Sequence, residues 1–388
     1  MLTLTSVELH RFKAAFDPPA VELSAYSLLI GRNGSGKSTV LEALQWIDTT
    51  LRRDAREACD RYRGVLDLVN LRSQVKVPYF AVDLTWFNST TDETYRYHLK
   101  VEATGDNTPA IVEERLVAYV EDRVTEELIV TADEGRQIVA GGIVVREPDR
   151  LALGLLGSTK SSGSITAVAL REWWMNAVFL RLSPSKLAES SLAQRRSFDP
   201  MLDEEGHTLP ALLSELTDLE REKLVLAIQE VLPGMRDVQV STEGSERNQR
   251  ANYSLLERMP YRGRAGRYQF PIPAWMLSEG TRRLTAILAL LVHTPAPSLL
   301  CIEEVENGLD PWTVQAVLGH LHDASATGTQ VVMTTHSPWL LDHVPIDSVL
   351  LVRRQEGNTV YDRFDQLDEV AAFDPSLPAG TRYVNVDQ

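Results

Sequence analysis

The chain has 388 residues but only two cysteines, Cys59 and Cys301, and neither stands in a CxxC pair or a Cys/His cluster. That count excludes a disulfide framework and a zinc centre of the usual spacing. Lysine is also scarce. A (D/E)xK nuclease motif needs an acid two positions before a lysine, and none of Lys13, Lys37, Lys76, Lys100, Lys160, Lys186 or Lys223 has one. No HNH-like histidine cluster is visible either, so no nuclease centre is expected. The net charge of −15 excludes a general polyanion binder and confines any nucleic-acid contact to a local basic patch. The longest apolar run, 284–292 with Thr285 inside it, falls far short of the ~20 residues of a membrane span. The opening residues lack a charged segment followed by an apolar core, so no signal peptide is expected. Heptads, internal repeats and low-complexity tracts are missing too, which excludes a long coiled coil. Together these absences point to a soluble, cytoplasmic protein without membrane contact.

What is present is an ordinary folded composition, 44% hydrophobic and 24% charged. Residues 4–10 and 21–30 read as strands around an Asp-Pro-Pro turn, leading into a glycine loop at Gly31. From 37 to about 63 the pattern is helical, with Arg52, Arg53, Arg56, Arg61 and Arg63 against Asp54, Glu57 and Asp60, a mixture typical of a solvated face. Residues 77–163 alternate in short runs separated by Asn/Asp/Gly turns, which predicts antiparallel sheet. Residues 164–273 mix helix and strand. Thr217 and Glu220 form a capping box there, opening a helix expected to bury Leu219, Leu224, Ile228 and Val231. Residues 274–388 alternate helices with the apolar strands 299–302 and 330–334, as a buried, largely parallel sheet does. Four segments follow: 1–76 and 274–388 as two parts of one α/β core, 77–163 as an antiparallel β subdomain, and 164–273 as a lid insertion. Trp173, Trp174 and Trp275 are expected to be packing residues, in the core or between subunits.

Two segments carry chemistry. Gly31-Arg32-Asn33-Gly34-Ser35-Gly36-Lys37-Ser38 matches GxxxxGK[ST] between a predicted strand and a predicted helix. Such glycines let backbone N–H groups wrap a phosphate at a helix N-terminus, where the dipole favours negative charge. Lys37 is then the candidate for the β/γ-phosphates and Ser38 for Mg²⁺. Leu299-Leu300-Cys301-Ile302-Glu303-Glu304 is an apolar strand ending in paired carboxylates, suited to holding Mg²⁺ through water (Glu303) and to orienting an attacking water (Glu304).

Further motifs resemble the ABC ATPases, in the RecF/SMC/OLD-like branch that includes small stand-alone AAA-type predicted ATPases. Leu277-Ser278-Glu279-Gly280-Thr281 looks like the signature of that branch. Ile302-Glu303-Glu304-Val305-Glu306-Asn307-Gly308-Leu309-Asp310-Pro311 resembles its Walker B and D-loop, with Val305 for the usual proline and Asp310 for the usual histidine. Thr334-Thr335-His336-Ser337-Pro338 resembles its switch-histidine motif, His10-Arg11-Phe12-Lys13 its N-terminal strand, and residues 202–209 an element of its lids. The resemblance implies an α/β P-loop NTPase of ABC-type head fold, with an antiparallel β subdomain and a compact mixed helical and β lid. It implies Mg²⁺-dependent ATP hydrolysis in a head-to-tail homodimer, with Glu304, Lys37 and His336 catalytic. Asn33, Gly34, Ser35, Gly36, Lys37, Ser38, Thr39 and Asp310 would bind nucleotide, joined by Ser278 and Gly280 from the second subunit. Ser38, Glu303 and Gln74, a candidate Q-loop residue, would serve the metal. Members of this compact type are found beside nucleases or toxins in bacterial defence systems, which implies a separate effector. Two other roles remain open: a DNA repair or maintenance ATPase, and a slow-turnover nucleotide-gated scaffold. For DNA the candidate patch is Arg247, Arg250, Arg258, Arg262, Arg264 and Arg267, interleaved with Tyr253, Tyr261 and Tyr268.

Overall fold

Alternation of apolar and polar side chains turns the early part of the chain into sheet. The computed structural model describes residues 1–131, 138–140, 143–145, 147–156, 164–196, 198–245, 249–258, 268–374 and 376–386. Its residues fall into two compact units, Met1–Ala177 with Val332–Gln388, and Val178–Val331.

In the first unit Phe80, Val82, Leu84 and Trp86 of the strand Tyr79–Asn88 are buried, as are Tyr95, Tyr97, Leu99 and Val101 of Glu93–Ala103. The strand Leu2–His10 buries Leu4, Val7 and Leu9, and its change of phase coincides with a bulge between Leu4 and Ser6. An antiparallel sheet results, in the order Val21–Glu22, Leu2–His10, Tyr79–Asn88, Glu93–Ala103, Pro109–Val120, Arg123–Thr131. Trp46 of the helix Lys37–Arg52 meets Phe80 edge-on at 5.2 Å. Trp173 and Trp174 of the helix Ile165–Met175 pack edge-on against Trp86 at 5.6 and 6.1 Å, and both are core residues.

The helix predicted to run to about residue 63 is two helices. Lys37–Arg52 stops at Arg53, and Asp54 restarts the chain as Ala55–Cys59 by accepting the Glu57 N–H at 2.8 Å. Arg52 is not on a solvated face. Its Nε donates to both Asp48 oxygens at 2.9 Å, and its Nη2 donates to the carbonyls of Trp174, Met175 and Ala177 at 2.9, 3.1 and 3.1 Å. One guanidinium thus satisfies two carbonyls at a neighbouring helix end and that of Ala177 just beyond it. Burial pushes the Asp48 carboxyl up to about 6 even with Arg52 beside it.

On the polar face of the same sheet, His10 and His98 share Asp83. His10 Nε2 lies 3.0 Å and His98 Nδ1 2.8 Å from its carboxylate, and Asp17 takes the other His10 nitrogen at 2.7 Å. The hydrogen bond to Asp83 raises His10 to about 9 and also raises His98. Burial pushes Asp83 up, but the bonds from the two histidines reverse this and bring it down to about 2.

The second unit is built around the strand Arg250–Arg258, paired with Met235–Glu243 and, on its other edge, with Ser191–Leu192 and Gln269–Pro273. The helices Leu209–Glu215 and Asp218–Val231 pack on this sheet, and both also contact the helix Glu279–Val292. The Thr217–Glu220 capping box forms in full, with Glu220 Oε2 accepting the Thr217 N–H at 2.8 Å. Its buried stripe is Glu220, Leu224, Ala227 and Ile228, at i, i+4, i+7 and i+8. Leu219 is off that stripe and 61% exposed, contrary to the sequence expectation. The strands Ala177–Leu180 and Leu299–Ile302 are neighbours, with the Glu303 N–H donating to Leu180 O at 2.8 Å. Among the described residues no helix is long and apolar enough to cross a membrane.

Two tests follow from the first unit. Arg52→Met leaves Asp48 and three carbonyls without their buried partner, so it is expected to cost about 3–5 kcal/mol in urea unfolding. The His10–Asp83–His98 group contributes most between the ordinary carboxylate and imidazole values, 3.8 and 6.5. Its contribution falls as pH rises through the His10 value of about 9, and again as pH drops toward the Asp83 value of about 2. Melting temperatures at pH 6 and 9 should therefore differ more for the native chain than for His10→Gln.

Candidate functional site

The strand Tyr26–Ile30 is buried throughout and pairs in parallel with Val349–Gln355, Leu28 opposite Val349 and Ile30 opposite Leu351. Buried and paired in this way, it delivers the loop 31–36 at its C-terminal end. Gly34 and Gly36 adopt φ of +75° and +106°, a region other residues rarely enter. Gly36 is also the N-cap of the helix Lys37–Arg52, with no side-chain cap and no acid in the first turn. No side chain caps the first turn of that helix, and its dipole favours an anion there. Lys37 is buried and folds back, its Nζ donating to Gly31 O at 2.7 Å and Arg32 O at 3.0 Å. Ser35 Oγ is buried and without a hydrogen-bond partner. Asn33 and Gly34 are exposed, Ser38 is half-buried and Thr39 is buried. A backbone cradle with a lysine at its base fits a polyphosphate.

The hairpin Val349–Gln355/Asn358–Arg363 braces this loop from behind. Thr359 Oγ1 donates to Ser35 O at 2.9 Å, and Tyr361 Oη donates to Gly36 O at 3.0 Å. Arg354 Nη1 reaches Thr359 Oγ1 at 3.2 Å and Ala14 O at 3.0 Å, joining the segment after Phe12 to the same brace. A Cβ on Gly36 would lie 2.5 Å from Thr359 Oγ1, so the glycine is required by contact as well as by φ. Sequence reasoning missed Thr359, Tyr361 and Arg354, because a hydroxyl on an alternating strand carries no motif. His336, also in this unit, is exposed at the end of the strand Gln330–Thr335. Gln74 is exposed in the loop before Tyr79–Asn88.

In the second unit the paired carboxylates stand at the end of the strand Leu299–Ile302. Glu303 is mostly enclosed, its side chain 18% exposed, with Arg181 Nε 3.7 Å away. Glu304 has φ +49°, a strained conformation for a glutamate, and its Oε2 accepts a short hydrogen bond from Asn307 Nδ2. Asn307 N–H also donates to Glu304 O at 2.9 Å, so Asn307 orients both ends of that residue. The sequence quoted Asn307 only as part of a motif.

Ser278 is the N-cap of the helix Glu279–Val292, accepting the Thr281 N–H at 3.0 Å, and is exposed. Gly280 passes so close to the following loop that a Cβ would lie 2.8 Å from Gly308 O. The segments 278–280 and 308–310 therefore form one surface. Asp310 caps the helix Pro311–Thr327, accepting the Trp312 and Thr313 N–H groups at 3.1 Å and the Thr313 hydroxyl at 2.6 Å. The bond from Thr313 holds its carboxyl below the usual range. Trp275, Met276 and Trp312 border this surface at 63, 69 and 80% exposure, so Trp275 is not a core residue.

Glu303, Glu304 and Ser38 offer hard oxygens, the donor type Mg²⁺ takes. Among the described residues no group of three or more His, Cys, Asp or Glu side chains could hold a metal by itself. A cation at Glu303 or Glu304 would complete its shell with oxygens of other ligands and with water, as Mg²⁺ in nucleotide sites does. Of the arginine patch, Arg247, Arg262, Arg264 and Arg267 lie outside the described residues, as does Tyr261. Arg250 donates to Ser190 Oγ and O at 2.8 and 2.5 Å. Tyr253 is buried with its hydroxyl on Leu187 O at 3.2 Å, so it is no stacking platform. Arg258 and Tyr268 line an open pocket with Gln239, Leu256, Gln269 and Pro271.

The chain is similar over residues 193–342 to the family described as "AAA domain, putative AbiEii toxin, Type IV TA system". It is 26% identical over 203 residues to the ABC transporter G family member STR2 of Medicago truncatula, a match covering 50% of this chain and 26% of that protein. The STR2 protein of Petunia hybrida is 33% identical over 84 residues, 20% of this chain and 11% of that protein. The chain thus spans about a quarter or less of the curated relatives it matches. Among solved structures it resembles an SMC head bound to the C-winged helix domain of ScpA, with a TM-score of 0.58 and 16% identity over 92% of this chain and 97% of that one. It also resembles an SMC head with an extended coiled coil, bound to the C-terminal domain of ScpA, from Pyrococcus furiosus, at 0.55 and 13% over 93% and 96%. The fold is therefore that of a P-loop NTPase, an ABC-type ATPase head, carrying an antiparallel sheet and a mixed helical and β insertion.

The brace can be tested without a ligand. Thr359→Val keeps the strand shape but removes the donor to Ser35 O, and is expected to lower stability by about 1–2 kcal/mol in urea unfolding.

Proposed function

We propose that the chain is a Mg²⁺-dependent ATPase whose two heads close on ATP and open after hydrolysis, controlling a separate effector protein. The observation that carries this reading is the glycine cradle of Gly34 and Gly36 on an uncapped helix N-terminus with Lys37 at its base. In this reading residues 33–39 bind the phosphates, Lys37 exchanging its loop carbonyls for the β/γ-phosphates. Ser38 and Glu303 hold the cation, with Gln74 as a further contributor. Mg²⁺, when bound, supplies charge neutralisation at the transferring phosphate. Glu304, oriented by Asn307, aligns and deprotonates the attacking water, and His336 steadies the γ-phosphate.

Ser278 and Gly280 of a second copy cap the γ-phosphate across a head-to-tail interface, so the nucleotide joins the two heads. The exposed Trp275, Met276 and Trp312 beside Ser278 and Asp310 support that assignment, since apolar surface of this kind is characteristic of an interface. Asp310 acts there through the helix cap it makes. The effector reading, that of a bacterial defence or toxin-like system, is supported by the description of the family matched over residues 193–342, a putative toxin of a type IV TA system.

Glu304→Gln should keep ATP binding, slow turnover by about a hundredfold or more, and accumulate a dimer in light scattering with ATP and Mg²⁺. A variant that stays monomeric under those conditions would remove the two-head switch from the proposal. Turnover stimulated by DNA would instead favour a repair role, and slow turnover unaffected by any partner a scaffold.

A further inference from the structure

Arg181 follows the strand Ala177–Leu180, whose last carbonyl accepts the Glu303 N–H. Its backbone is gripped from the other side. Arg181 N–H donates to Glu204 O at 2.9 Å and Ser183 N–H to Glu205 O at 3.0 Å, a short ladder onto the loop 203–208. That loop is rigid. Asp203 accepts the Thr208 N–H at 2.6 Å and the Thr208 hydroxyl at 2.9 Å, while Leu202 and Leu209 anchor its ends in the core. Gly206 turns it at φ +83°, where a Cβ would strike Leu187.

With its backbone so fixed, Arg181 extends a side chain that is 74% exposed toward a carboxylate that is 18% exposed, at 3.7 Å. The asymmetry has a direct reading. The carboxylate stays in place, whereas the guanidinium approaches from solvent and can leave at little cost. An arginine also cannot give up its charge to make room for a cation, so it must move.

We propose that Arg181 is a positioning residue for Glu303, holding its carboxylate until a divalent cation displaces the guanidinium, and thereby setting the cation affinity of the site. The inference rests on the assignment of Glu303 to the metal made above. It extends that assignment by making the lid loop 203–208 part of the metal site's control, because that loop fixes where Arg181 starts.

The test is a Mn²⁺ titration followed by EPR, on the full chain with a non-hydrolysable ATP analogue. Arg181→Gln should tighten Mn²⁺ about two- to fivefold, the range that an ion pair with one exposed member supports. Arg181→Lys, which keeps the charge, should stay near the native value. In a Glu303→Gln background Arg181→Gln should have no effect. Unchanged or weaker Mn²⁺ binding in Arg181→Gln overturns the inference, and so does equal tightening in both backgrounds, which would mean a general field effect. Unchanged Mn²⁺ affinity in Glu303→Gln alone overturns the metal assignment itself. Because the Arg181 side chain is exposed, thermal melting of Arg181→Gln should match the native chain, which keeps the readout separate from folding.

Discussion

Two hydroxyls on one strand, those of Thr359 and Tyr361, hold the carbonyls of Ser35 and Gly36, and the geometry of the phosphate loop depends on them. A glycine-rich loop has little conformational preference of its own. Its N–H groups converge on one point only if the opposite faces of the same peptides are tied down. The hairpin does this, and the parallel pairing of Tyr26–Ile30 with Val349–Gln355 sets its register. Arg354 extends the same brace to Ala14, so the segment that follows the N-terminal strand is tied to the part of the chain that braces the loop.

The second unit applies the same economy to charge. Glu303 is placed by a backbone bond to Leu180, and Glu304 is held in a strained conformation by Asn307. Strain of this kind persists only where the surroundings over-determine it. Here the bond to Asn307 and the close approach of Gly280 to Gly308 supply that constraint. The 278–280 and 308–310 segments cannot shift independently, and any partner touching one also loads the other.

Much of this was legible in the sequence wherever one residue type is the only solution. Gly34 and Gly36 answer a positive φ, Thr217 and Glu220 a helix start, and the strand Leu299–Ile302 its burial on all sides. Residues with several solutions were not legible. Arg52 sits in a run of mixed charges that looks solvated, yet two helix-end carbonyls and that of Ala177 just beyond them draw it inside. Leu219 fits an apolar face on paper until the cap sets the phase of the helix. Trp275 is a packing residue by type, but only the fold decides between the core and a surface, and it turns Trp275 outward. Tyr253 was read as a surface aromatic and is buried.

The separation of Ser35 from Thr359, 324 positions along the chain, bears on how the protein is made. A ribosome releases the glycine loop 324 residues before the threonine of the hairpin that braces it. Until then the loop has its sequence but not its geometry, and a nascent or truncated chain has no phosphate cradle. The shape of the loop is therefore acquired only after the hairpin has been made.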